Sequence, residues 1–149
     1  MMIRTVLTAA LMLLLSGCGA GEKADVLYEC PSPDGSLIAT LYRVSDGARE
    51  IDRETRLNVR PATTAFNDSM FSFAMRHGYD AIVRWSSEQQ LEFVYPLDSE
   101  LIHVENVIFG SSQTFNSTQQ IVVTYREEPS THGYFMVEKR CLSGVEAIR

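Results

Sequence analysis

Cysteine, histidine, serine and the carboxylates are the side chains here that could do chemistry, and their spacing decides which chemistry is open to them. The three cysteines are Cys18, Cys30 and Cys141. A thiolate is a nucleophile, a metal ligand or half of a disulfide. Neither Cys30 nor Cys141 has a Cys or His close by in sequence. The three histidines, His77, His103 and His132, are scattered, so no metal-ligand spacing is present. His77-Gly78 and His132-Gly133 read as turns, and His103 as a half-exposed strand residue. Ser86-Ser87 and Ser111-Ser112 lack the Gly-x-Ser-x-Gly frame that exposes a nucleophile. No His-x-x-x-His, phosphate loop or calcium loop occurs. The acidic residues, among them Asp46, Glu50, Asp52, Glu54, Asp68, Asp80, Glu88, Asp98, Glu100, Glu105, Glu127 and Glu128, are dispersed and read as a solvated anionic surface. Thus no catalytic residue, metal site or cofactor is expected.

Cys18 stands in a context of its own. Arg4 and the amino terminus form a basic start, and Val6–Leu15 is an apolar core broken only by Thr8. That run is too short for a permanent span, which needs about 20 residues. A basic start, a short apolar core and a small-residue end make an export signal. Its end, Leu15-Ser16-Gly17-Cys18, resembles the lipobox of bacterial lipoproteins. The resemblance implies cleavage between Gly17 and Cys18, a diacylglycerol thioether on Cys18, and acylation of the new amino terminus, commonly with palmitate. Several acyl chains give stable membrane attachment. Loss of residues 1–17, which include Arg4, takes the formal charge from −6 to −7. Gly19, in place of the Asp that retains Gram-negative lipoproteins in the inner membrane, implies the outer membrane, facing the periplasm.

With Cys18 assigned to lipid by that resemblance, Cys30 and Cys141 remain. An exported chain meets an oxidising space, so these two are expected to form a disulfide. Such a bridge requires the first and last elements of the fold to be neighbours.

The rest of the chain must build one domain. The 149 residues, 45% hydrophobic and 21% charged, suit a single globular unit. Acidity argues against nucleic acid as a partner. Residues 18–25 read as the lipidated start and tether, and 26–149 as a β domain. Alternation predicts strands at Val26–Cys30, Ser36–Val44, Arg56–Arg60, Met70–Arg76, Ala81–Trp85, Leu91–Tyr95, Leu101–Phe109, Gln120–Arg126 and Tyr134–Arg140. Apolar residues on both faces of Ser36–Val44 mark an inner strand. Met70, Phe71, Ala74 and Met75 also fit one helical turn capped by Asn67 or Asp68, with a strand preferred. The charged segment Ser45–Thr55 places like charges at i,i+4 and reads as a loop. Trp85 is expected in the core. The expectation is an all-β fold: a small antiparallel sandwich or barrel of about eight strands, with its terminal strands adjacent.

Two further likenesses attach to particular residues. Ser32-Pro33-Asp34-Gly35 followed by Leu37-Ile38-Ala39 resembles the turn and strand of a periplasmic propeller blade. It occurs once, whereas a propeller needs several copies. The lipobox, the SPDG strand and the Trp85…Tyr95-Pro96 stretch together resemble small, largely uncharacterised bacterial lipoproteins. That likeness implies a lipid-anchored, non-catalytic envelope domain, with a membrane contact through Cys18 and a protein partner in the envelope. Tyr28-x-Cys30 with a closing Cys141 is also similar to lipoprotein inhibitors of animal-type lysozyme, small β-barrels tied by a terminal disulfide. An acidic domain would complement a basic lysozyme. That family's inhibitory loop has no counterpart between Asp34 and Asp80.

Overall fold

Alternating apolar residues drive this chain into extended segments that pair edge to edge. A computed structural model describes residues 23–45, 53–77, 81–109, 120–129 and 141–143. The expected signal over 1–17, with Gly17, then Cys18, residues 46–52, His132, Ser111-Ser112 and the expected strand Tyr134–Arg140 lie outside the described residues. The ten described strands are β1 (Lys23–Pro31), β2 (Leu37–Ser45), β3 (Glu54–Pro61), β4 (Phe73–Arg76), β5 (Ile82–Ser87), β6 (Gln90–Pro96), β7 (Glu100–Val104), β8 (Val107–Phe109), β9 (Gln120–Glu128) and β10 (Cys141–Ser143).

They form two five-stranded sheets, β1-β2-β3-β4-β7 and β10-β5-β6-β9-β8, packed as a sandwich rather than a closed barrel. The first sheet is antiparallel throughout. The second is mixed: β6 runs parallel to β9, and β10 parallel to β5. This departs from the expected antiparallel pattern, because local alternation carries no information about strand direction. The chain leaves β6 for the other sheet as β7 and returns through β8, so β9 arrives beside β6 in the same direction.

Three boundaries differ from the alternation reading. β1 opens at Lys23, ahead of the expected start at Val26. The run Leu101–Phe109 is cut at Glu105-Asn106, because the chain crosses there between the sheets. Met70 and Phe71 are neither strand nor helix; β4 begins only at Phe73.

Inward residues of both sheets make one core. Leu37, Ala39, Leu41, Leu57, Val59, Phe73 and Met75 face Val83, Trp85, Leu91, Phe93, Ile108, Ile121 and Val123. Phe73 stands at its aromatic centre, 4.6 Å from Phe93, 5.3 Å from Tyr125 and 5.4 Å from Tyr95 between ring centroids. β2 is an inner strand, as its two apolar faces predict.

At the opposite side the terminal strands are clamped. Cys30 and Cys141 form a disulfide with Cα atoms 5.3 Å apart. Trp85 is fully buried beside it, and its indole N–H donates to the Cys30 carbonyl at 3.0 Å. The Tyr28 hydroxyl donates to the Ala81 carbonyl at 2.6 Å. The first and last described strands are therefore neighbours, as a bridge requires.

The β1–β2 connection is a turn whose chemistry the sequence spells out. Gly35 has φ +73°, where L side chains are strained, and its N–H donates to the Ser32 carbonyl at 2.9 Å. The Asp34 carboxylate accepts from the Ser36 N–H and from the Ser32 and Ser36 hydroxyls. Those donors, the Ser36 amide foremost, hold its carboxyl below the usual carboxylate range. The motif belongs to a hairpin turn, not to a blade.

Two core-edge tyrosines give the fold an alkaline limit. Tyr95 donates to Glu127 Oε1 at 2.9 Å, and Tyr125 to the Glu105 carbonyl at 2.6 Å. Burial, reinforced by the Glu127 carboxylate, pushes the Tyr95 phenol up to about 12, and burial raises Tyr125 as well. In both, folding favours the neutral phenol. The stability they contribute is complete below pH 10, the unfolded value, and is lost as pH rises from 10 through about 12. Denaturant midpoints measured from pH 8 to 12 are expected to fall above pH 10, with a shallower fall in Tyr95→Phe. A midpoint independent of pH over that range would contradict this.

Candidate functional site: a cleft on the outer face of the first sheet

β3 reads Arg56-Leu57-Asn58-Val59-Arg60, and alternation alone would put its polar residues in water. Leu57 and Val59 do face the core. Arg56, Asn58 and Arg60 face outward, yet they are only 9%, 2% and 7% exposed. What buries them is the irregular segment 62–71, which crosses this face before turning into β4.

An irregular segment lying on a sheet has no ladder partners, so its carbonyls need side-chain donors. The outer face of β2 and β3 supplies them. The Tyr42 hydroxyl donates to the Asp68 carbonyl at 2.8 Å, Asn58 Nδ2 to the Met70 carbonyl at 2.6 Å, and Arg60 Nε to the Thr64 carbonyl at 3.1 Å. Asn67 turns the segment by accepting from the Ser69 amide and hydroxyl. Two aromatic rings complete the seat. Phe66 packs edge-on against Tyr42 at 4.9 Å and lies 5.5 Å from the Arg60 guanidinium. Phe71 lies 4.5 Å from the Arg56 guanidinium and edge-on to His103 at 5.5 Å.

Each guanidinium is also neutralised. Arg60 Nη2 pairs with Glu29 at 2.7 Å, while Nη1 donates to Thr40 Oγ1. Glu54 bridges Arg56 at 2.8 Å and Arg76 at 3.0 Å. A buried cation is tolerable only with such partners, and removing one side of the pair would strand the other.

Between β3 and the crossing segment remains an open cleft of about 540 Å³, lined by Asn58, Arg60, Thr64–Asp68 and Met70. Its wall combines an amide, a guanidinium, backbone carbonyls, an aromatic ring and a carboxylate. That mixture suits recognition by hydrogen bonds and stacking. Arg60 and Asn58 are already committed to holding the segment, so they shape the cleft more than they offer free charge.

Asn58 is therefore a keystone. Asn58→Ala leaves the Met70 carbonyl without its donor and is expected to destabilise the domain by about 1–3 kcal/mol. Hydrogen exchange of the amides at Ser69 and Met70 should quicken before the rest of the sheet responds. Unchanged exchange there would show that the segment is held by other means.

The residues singled out by sequence are placed as follows. Cys30 and Cys141 meet. Cys18 and Gly17 lie outside the described residues. His77 and His103 are apart, each beside a carboxylate: Glu100 at 3.6 Å and Glu105 at 3.2 Å. Among the described residues no three His, Cys, Asp or Glu side chains gather as a metal would need. Asn58, Arg60 and Phe66 were not among the candidates. Their signal is a polar-apolar alternation with arginines, ended by Pro61 and followed by a Thr- and Asn-rich stretch too irregular to be a strand. No family model, curated protein or solved structure matches this chain.

Proposed function

We propose that this protein is a lipid-anchored, non-catalytic β-domain of the bacterial envelope that binds a partner, a protein of that compartment, through the cleft beside β3. The observation that carries the binding half is the cleft itself: an open, partly aromatic depression under a segment held by Tyr42, Asn58 and Arg60, walled by amides, carbonyls and a neutralised guanidinium. The anchor half rests on Leu15-Ser16-Gly17-Cys18, with Cys18 carrying the acyl chains, and Gly19 directs the protein to the outer membrane, facing the periplasm.

Each half has its own test. Metabolic labelling with a fatty-acid analogue should mark the native protein and not Cys18→Ala; label persisting in the variant overturns the anchor. Cross-linked pull-down from detergent-solubilised membranes should recover one stable protein with the native chain and much less with Ala65→Arg, which places a charge on the cleft wall. Equal recovery with both, or repeated recovery of none, overturns the cleft as the binding surface.

A further inference from the structure

Among the described residues, the large apolar side chains most open to solvent are concentrated on one short stretch. Leu97, Leu101, Ile102 and Val104 are 54%, 42%, 43% and 39% exposed, with Val26 on β1 the only other of that kind. Leu97 sits in the turn entering β7, and its N–H is fixed to the Glu128 carbonyl at 2.9 Å. Among the described strands β7 is one edge of the first sheet, and β1 is the other. An exposed apolar cluster of this sort marks an interaction surface.

The strand register says where that surface lies relative to the start of the domain. Asp25 pairs with Arg43, Arg43 with Thr55, Thr55 with Met75, and Met75 with Leu101. Leu101 is thus in the same row as Asp25, two residues from the beginning of β1. Beside it, Ala24 pairs with Val44 and Val44 with Glu54, Arg76 pairs with Glu100, and an ion pair joins Arg76 to Glu54. With strands about 4.8 Å apart, the row crosses the sheet in about 19 Å. Leu97, Leu101 and Ile102 lie at the end of the sandwich where β1 begins.

We infer that this corner of the sandwich, Leu97, Leu101 and Ile102, rests in the headgroup layer of the bilayer that holds the anchor. The inference rests on the lipid-anchor reading above. Five peptide steps separate Cys18 from Lys23, which is at most about 18 Å of extended chain. A domain tethered so closely must meet the lipid surface with its β1-start end, and that end carries the apolar cluster. The seat is apolar rather than electrostatic. Arg76 is paired with Glu54 at 3.0 Å, so the cation in that row is already neutralised.

A second copy pairing along β7 is the competing occupant, and β7 is ill suited to it. The strand has five residues, and its register shifts between Ala74 and Met75, which leaves Ile102 as the extra residue of a β-bulge. Short, bulged edges oppose strand addition.

The test uses the full-length lipidated protein in vesicles of zwitterionic phosphatidylcholine brominated high on the acyl chains. Leu101→Trp and, separately, Ile102→Trp are compared with Glu88→Trp, at the β5–β6 turn. The buried Trp85 is common to all three. Bromine should quench the emission of the first two at least twofold more than that of Glu88→Trp, and to the same extent when anionic lipid is added. Equal quenching in all three overturns the seat. Emission from position 101 that is shielded in detergent, together with a dimer by sedimentation, overturns it in favour of self-pairing. Fatty-acid labelling is read on the same samples. Absence of label overturns the anchor and the seat together, whereas label without selective quenching overturns the seat alone.

Discussion

Replacing both Cys30 and Cys141 by alanine is expected to lower the stability of the domain by about 4–5 kcal/mol. The bridge closes 111 residues, and cross-linking so long a loop removes that much chain entropy from the unfolded state in the loop-closure model. In a domain of this size each kcal/mol moves the melting temperature by about 4 °C, so the expected fall is about 15–20 °C. The magnitude follows from topology. Among the described strands β1 is an edge of one sheet and β10 an edge of the other, and three described residues of β10 pair with β5. Among the described contacts, that side is otherwise held by the hydrogen bonds of Trp85 and Tyr28 and the apolar contacts of Cys30. Trp85 is the only tryptophan, and its indole is bonded to Cys30, so its emission should change on reduction before global unfolding. Calorimetry of the double variant checks the first expectation. A fall of less than about 5 °C would mean the bridge constrains little, and alkylation of both thiols in the native protein would mean it is not formed.

Phe73→Ala is expected to remove about 3–5 kcal/mol, the range for deleting a fully buried aromatic ring. Phe73 is 0% exposed and belongs to the first sheet, but its ring neighbours Phe93, Tyr95 and Tyr125 all belong to the second. Truncation therefore opens a cavity at the seam between the sheets, where four rings meet and none can collapse alone. The Tyr125 hydroxyl, bonded to the Glu105 carbonyl at 2.6 Å, holds its own ring in place and limits relaxation further. Phe73→Leu keeps most of the volume and should cost about 1–2 kcal/mol. Denaturant midpoints for the two variants measure the difference. If alanine costs no more than leucine, the cavity has closed and the sheets are less rigidly opposed than the ring contacts imply.

The core was legible in the sequence at almost every strand. Leu37, Ala39 and Leu41, Leu57 and Val59, Val83 and Trp85, and Leu91, Phe93 and Tyr95 alternate within the expected strands, and all lie in the core. The SPDG turn and the pairing of Cys30 with Cys141 were legible too, the first from turn chemistry and the second from cysteine arithmetic after one thiol had been set aside. The cleft was not. Arg56, Asn58 and Arg60 carry a pattern identical to that of a solvent-facing strand. Only the return of segment 62–71 across them turns exposed polar residues into buried donors. Nothing local marks that return, because the segment is fixed by its carbonyls, and every residue type has one.

Local sequence was enough for the β class, the turn at Gly35, the Cys30–Cys141 pairing and the core position of Trp85. Each follows from interactions between neighbours in the chain, from a period set by backbone geometry or from cysteine arithmetic. The parallel pairing of β6 with β9, the burial of Arg60 beneath segment 62–71 and the cleft beside it came only from the tertiary arrangement. It also placed the apolar β7 edge in the row where β1 begins. Those features depend on strand order and direction. Both are set by how two sheets share one core, which a one-dimensional pattern of polar and apolar residues does not encode.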